Sequence, residues 1–124
     1  MTLQDLQNEF PDATEATWHQ HPNGGGWIEN IAYVDASAYV GPNACVFGNA
    51  LVSEDALVSE DARVSGNAWV YGDAWVFGNA RVYGNAWVYG NASVFGNACV
   101  FGNARVYGNA CVFGNAKVSS TCIP

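Results

Sequence analysis

Ala80-Arg81-Val82-Tyr83-Gly84-Asn85-Ala86-Trp87-Val88-Tyr89-Gly90-Asn91 is one hexapeptide, Ala-x-Val-x-Gly-Asn, written twice. Outward from it, valine recurs every six residues from Val34 to Val118, fifteen times in all, and alanine stands two positions before each one, from Ala32 to Ala116. An even period suits a strand whose side chains alternate between two faces and does not fit the 3.6-residue turn of an α-helix. Ala and Val therefore share one face. The two x positions share the other, and they hold Arg63, Arg81, Arg105, Lys117, Asp35 and several serines. Charged groups are rarely buried unpaired, so the Ala/Val face is the inner one. Gly and Asn both tolerate a left-handed backbone and supply the corner between units. A short period sustained over most of a chain is the mark of a solenoid, in which each repeat packs on its neighbours.

The pattern resembles the hexapeptide-repeat superfamily, whose signature is an aliphatic residue followed four positions later by a small one. Val46 with Ala50, Val76 with Ala80 and Val100 with Ala104 follow it. The resemblance covers residues 26–121. It implies an all-β fold, a left-handed parallel β-helix of about five triangular coils with three units per coil. The handedness comes from the resemblance alone, since general crossover rules favour the opposite hand. One departure is that the position after the aliphatic, usually small or acidic in the family, is often Tyr or Phe here. Short, highly regular chains of this type look like those found in bacterial and phage proteins.

The organisation expected is an N-terminal cap over residues 1–25, the β-helix over 26–121 and a C-terminal end over 122–124. Ile28 takes the valine slot one unit before Val34. Residues 2–10 form a short amphipathic helix: Thr2 caps it, Leu3, Leu6 and Phe10 make an apolar stripe, and Pro11 stops it. This segment is expected to lid the first coil, because the unpaired strand edges of a solenoid end need cover. His19 and His21, the two histidines of the chain, fall in the turn leading into the first strand and have no third ligand nearby. Beyond Val118 the motif breaks, and Pro124 falls in a valine slot where it should end strand pairing.

The chain is acidic, with a formal net charge of −7. The charge is uneven: residues 1–62 carry −10 with no Lys or Arg, and residues 63–124 carry +3. Nucleic-acid binding is therefore not expected. Met1–Phe10 has neither a basic start nor a long apolar run, so no export signal or membrane span is expected. Cys45, Cys99, Cys111 and Cys122 show no metal-ligand spacing, and unpaired thiols suit a reducing cytoplasm. A bridge between subunits is the alternative.

Three units per coil place residues eighteen apart above one another. One outer face then carries Trp69 and Trp87 beside Tyr71, Tyr89 and Tyr107; a second carries Trp75 beside Phe77, Phe95 and Phe113. Stacked rings stabilise neighbouring strands. Contiguous aromatic area on this scale also predicts burial against other copies or a partner, as a trimer or a dimer. The third face aligns Arg63, Arg81 and Lys117 beside Tyr83 and Phe101, a column suited to a small anionic or phosphate-bearing ligand. Glu54-Asp55 and Glu60-Asp61 replace Gly-Asn at two corners; solvated turn carboxylates account for them better than a hard-cation site.

The resemblance also shows what chemistry is missing. Acyltransferases of the superfamily use a catalytic histidine at subunit interfaces, and γ-class carbonic anhydrases hold zinc with three histidines from the coils. The repeats here contain no histidine. No nucleophile–base pair is visible, and neither a cofactor nor a metal is expected. The expectation is a non-catalytic structural or binding module. The resemblance is compatible with a phage accessory protein that binds a host protein or a nucleotide signal in the host cytoplasm. Two alternatives stay open: an acyltransferase-like protein using CoA or a nucleotide-sugar at a subunit interface, and an acidic decoy of a nucleic-acid-binding protein acting through Glu54, Asp55, Glu60 and Asp61.

Overall fold

The computed structural model describes residues 1–123 and is a parallel β-solenoid with one short helix, α1 (Leu3–Glu9). The stop of strand pairing expected at Pro124 lies outside the described residues. Where a turn was expected, Trp18–Gln20 forms β1, which pairs antiparallel with the next strand and sets His19 opposite Ile28; after it, every hexapeptide gives one short strand on one of three sheets. The first sheet stacks β1, β2 (Trp27–Glu29), β5 (Cys45–Val46), β8 (Arg63–Val64), β11 (Arg81–Val82), β14 (Cys99–Phe101) and β17 (Lys117–Ser119). The second stacks β3 (Tyr33–Val34), β6 (Leu51–Val52), β9 (Trp69–Val70), β12 (Trp87–Val88), β15 (Arg105–Val106) and β18 (Cys122–Ile123). The third stacks β4 (Tyr39–Val40), β7 (Leu57–Val58), β10 (Trp75–Val76), β13 (Ser93–Val94) and β16 (Cys111–Val112). Three faces and a repeat of eighteen residues make about five coils, as the period predicts.

Valine lies on valine all the way along. Val52, Val70 and Val88 pair in register on the second sheet, and Val58, Val76 and Val94 on the third. The valines from Val40 to Val106 and the alanines from Ala38 to Ala104 are fully buried or nearly so, as one continuous column. Each coil is hydrogen-bonded to the next through the backbone. Trp69 N donates to Ala86 O at 3.0 Å, Tyr71 N to Val88 O at 3.0 Å and Asp73 N to Gly90 O at 2.8 Å. Such a core makes every interior site repeat its neighbour, so whatever is particular to this chain sits outside it.

The corners explain the glycine. Gly84 has φ +69°, a left-handed geometry that costs an L-residue about 1–2 kcal/mol. In the second coil this slot is filled by Glu54 (φ 60°) and Glu60 (φ 58°). Glu54→Gly and Glu60→Gly are each expected to stabilise the chain by about 0.5–1 kcal/mol, the relieved strain less the added freedom of glycine in the unfolded chain. Thermal melting of the double variant checks this, and a fall in Tm would mean that the glutamate side chains themselves hold the corner.

Two end features differ from the sequence reading. The α1 helix does not lid the first coil. It has a capping box, with Thr2 and Asp5 exchanging hydrogen bonds, and it lies along the side of the first sheet. There Leu6, Ala13, Trp18, Trp27 and Cys45 form a second small core. The reason is supply of apolar surface: Trp27 and Cys45 put one on the flank that the Leu3/Leu6/Phe10 stripe can cover. Over the first coil lies the loop after β1 instead. Gly26 N donates to Val40 O at 2.9 Å, Val40 N to Asn23 O at 3.1 Å, and His21 Nε2 sits 2.8 Å from Ala38 O. At the other end the solenoid continues through Ile123. The last corner, Ser119–Thr121, is one residue short, so Ile123 rather than residue 124 takes the valine slot and pairs with Val106. Ser120 occupies the glycine slot with φ 57°.

Candidate functional site

With the interior uniform, the outer columns are the places where chemistry can differ. On the second sheet the rings form two ladders side by side, from β9 to β15. Trp69 stacks on Trp87 at 4.8 Å with planes 2° apart, Tyr71 on Tyr89 at 5.0 Å, and Tyr89 on Tyr107 at 5.3 Å. Tyr71 meets both tryptophans edge-on. The ladder of indoles ends in Arg105, whose guanidinium lies 4.1 Å from the Trp87 ring centroid. Stacking half-buries most of this face and leaves Trp69 exposed. Burial beside its neighbours also raises the pKa of the Tyr71 hydroxyl.

The third sheet is only half filled. Phe77, Phe95 and Phe113 form a ladder, at 4.9 Å and 5.4 Å between centroids. Beside it, Trp75 touches Phe77 edge-on but has no ring on its C-terminal side, because Ser93 pairs with Trp75 and Cys111 with Ser93. Trp75 is 51% exposed, the most open indole of the chain. A shallow cavity of about 310 Å³ lies beside it, lined by Asp73, Trp75, Asn91 and Ser93. The sequence reading placed Trp75 on this face but missed the notch. Its signals were there: Ser93 interrupts a column of large residues, and Asp73 replaces the asparagine of its corner.

The basic column on the first sheet needs correction at Arg63. Its position was expected to be open to a ligand, yet Arg63 is 9% exposed. Its Nε donates to Glu9 Oε2 at 2.9 Å and one terminal nitrogen donates to Glu9 Oε1 at 2.6 Å, while the other donates to Asn43 O, Asp61 O and Ala62 O at 3.0, 3.0 and 3.3 Å. All three guanidinium nitrogens are therefore engaged within the chain. This pairing holds the Glu9 carboxyl below the usual range and raises the pKa of Arg63. Arg81 and Lys117 remain exposed, and Tyr83 stacks on Phe101 at 5.2 Å. Cys45, in the same column, is wholly buried under the α1 flank, and desolvation pushes its thiol up to about 11. Such a thiol is inert.

Both histidines take structural places. His21 is buried against Ala38 O, and His19 Nδ1 lies 2.6 Å from Asn30 Oδ1. At the acidic corners, Asp35 accepts from Glu54 N at 2.8 Å and from the Tyr33 hydroxyl, and these hydrogen bonds, the tyrosine's first, lower its pKa. Among the described residues no three His, Cys, Asp or Glu side chains group so as to hold a metal ion, and no helix is long and apolar enough to cross a membrane.

The family model described as the YdcK Beta solenoid repeat matches residues 62–76, 74–90 and 104–120. These stretches contain much of the aromatic and basic columns, and there the chain is similar to that family. No curated protein matches the chain. Together with the stacked sheets, the match establishes a repeat β-solenoid protein.

Proposed function

We propose that this chain is a non-catalytic β-solenoid module that acts by surface contact, and that it self-associates through the Trp–Tyr face of the second sheet. The observation that supports this reading is the pair of neighbouring ladders, Trp69–Trp87–Arg105 and Tyr71–Tyr89–Tyr107. From β9 to β15 the rungs share one register, so this stretch of the face is even. An even aromatic surface is matched best by another like it, and each ring buried there adds apolar contact that stacking within the chain leaves open. The anionic-ligand reading of the first sheet receives less support. Arg63 is committed to Glu9, which leaves Arg81 and Lys117 as the exposed cations of that column.

Sedimentation and light scattering test the proposal. The wild-type chain is expected to be a dimer or trimer at micromolar concentration. The Trp69→Lys/Tyr89→Lys variant should shift to monomer by at least about 100-fold in dissociation constant, roughly 3 kcal/mol. Its circular dichroism should be unchanged, because both side chains lie outside the core. A wild-type chain that stays monomeric at millimolar concentration would remove the proposal.

A further inference from the structure

We propose that the notch at Ser93 on the third sheet is a binding slot for a guanidinium group, carried by an arginine that this chain does not supply. The inference goes beyond self-association and stands on a different face.

The coil corner is itself a guanidinium nest, and the chain fills it twice. One terminal nitrogen of Arg105 donates to Asn85 O at 3.4 Å, Asn103 O at 3.0 Å and Ala104 O at 3.4 Å. One of Arg63 donates to Asn43 O, Asp61 O and Ala62 O. In both cases the acceptors lie twenty, two and one positions before the arginine. Two side chains on different sheets thus find three carbonyls at equivalent positions of the repeat, so the nest belongs to the repeat rather than to either arginine. Arg81 makes no such contact. One carbonyl of its nest, Asp61 O, already serves Arg63, and two guanidinium groups one rung apart repel.

The same offsets from Ser93 give Asp73 O, Asn91 O and Ala92 O. Among the described residues, no backbone N–H donates to the Asp73 or Asn91 carbonyl. Trp75 stands one rung before Ser93, as Trp87 stands one rung before Arg105. Arg105 lies over its indole; over Trp75 there is only the serine. The cavity lined by Asp73, Trp75, Asn91 and Ser93 is where that guanidinium would lie. Asp73 adds a negative charge where the Arg105 nest has the neutral amide of Asn85. Its carboxylate is exposed, forms no salt bridge among the described residues, and is the one acidic group after Asp61. A planar cation with several N–H donors satisfies all of this at once: one face on the indole, donors to the corner carbonyls, and an ion pair to Asp73. A lysine ammonium lacks the plane and the fork.

The test is a titration followed by tryptophan fluorescence and calorimetry, with N-acetyl-arginine amide, free arginine and N-acetyl-lysine amide as probes. It is run on the wild-type chain and on the Trp69→Lys/Tyr89→Lys chain, so that failure of the self-association proposal does not obscure this one. A single side chain should bind in roughly the millimolar range. Arginine probes should bind at least about 10-fold tighter than the lysine probe. Tighter binding of the blocked form points to an arginine within a protein segment, and tighter binding of the free form to the amino acid; both support the slot. Asp73→Asn should weaken binding about 5-fold or more, and Trp75→Leu should abolish it. Ser93→Arg supplies the group from within and should also abolish it while raising Tm. Equal affinity for arginine and lysine, or binding that survives Ser93→Arg, would overturn the proposal.

Discussion

Replacing Gly84 by alanine is expected to destabilise the chain by about 2–3 kcal/mol, whereas the same change at Gly114 should cost about 1 kcal/mol. Both residues have left-handed backbones, with φ of +69° and +67°, so the conformational penalty is common to the pair. The difference lies in what a Cβ meets. At Gly84 it would come to 2.8 Å from the backbone nitrogen of Gly102 in the next coil, and at Gly114 it would meet nothing within 4 Å. A backbone atom cannot swing away as a side chain can, so relief at Gly84 requires the coils to part locally and stretch bonds such as Asn85 N to Gly102 O, now 2.8 Å. Loss of packing density in so narrow a core is felt at once. Thermal and urea unfolding of the two single variants give the comparison. Equal losses at both sites would mean that inter-coil spacing is set by the valine column alone and that the corners only turn the chain.

That contrast also marks how far the fold can be read from residues. The period of six identifies strand, inner face, outer face and corner, and the stacking of Val52, Val70 and Val88 follows from it. The ladders follow too, because residues eighteen apart have to stack once three units make a coil. What the period does not carry is anything outside it. The pairing of Arg63 with Glu9 spans 54 residues, and it depends on where a non-repeating helix finds apolar surface. The one-residue slip that brings Ile123 onto Val106 is a local trade of a regular corner for a buried side chain, and no rule of spacing foretells it. The notch at Ser93 was legible in the columns, but its carbonyl nest was not. The nest depends on backbone geometry, which two arginines on different sheets report by bonding carbonyls at equivalent positions.

Arg63→Ala should release the α1 flank and cost about 2–4 kcal/mol. The pair is only partly screened: the Arg63 side chain is 10% exposed and that of Glu9 39%, which places the effect below that of a fully buried pair. Truncation leaves Glu9 without its bidentate partner, the Asn43, Asp61 and Ala62 carbonyls without that donor, and a gap beside Cys45. Arg63→Lys should recover little, since one ammonium cannot make the fork to Glu9 and reach the corner carbonyls together. Cys45 gives a direct readout. In a chain whose other cysteines are changed to serine, its thiol should be almost unreactive in the wild-type background, being buried and shifted up to about 11, and Arg63→Ala should speed its labelling by roughly 100-fold through local opening. Acid should act in the same direction. Glu9 has a lowered pKa in the folded chain, so its contribution is complete above the ordinary glutamate range and is lost as pH falls through the folded value. The emission of Trp18 and Trp27, both in the flank core, should therefore change on acidification ahead of global unfolding, and that early step should be missing in Glu9→Gln. Labelling of Cys45 at the wild-type rate in Arg63→Ala would show that apolar contact at Leu6 holds the flank without the ion pair.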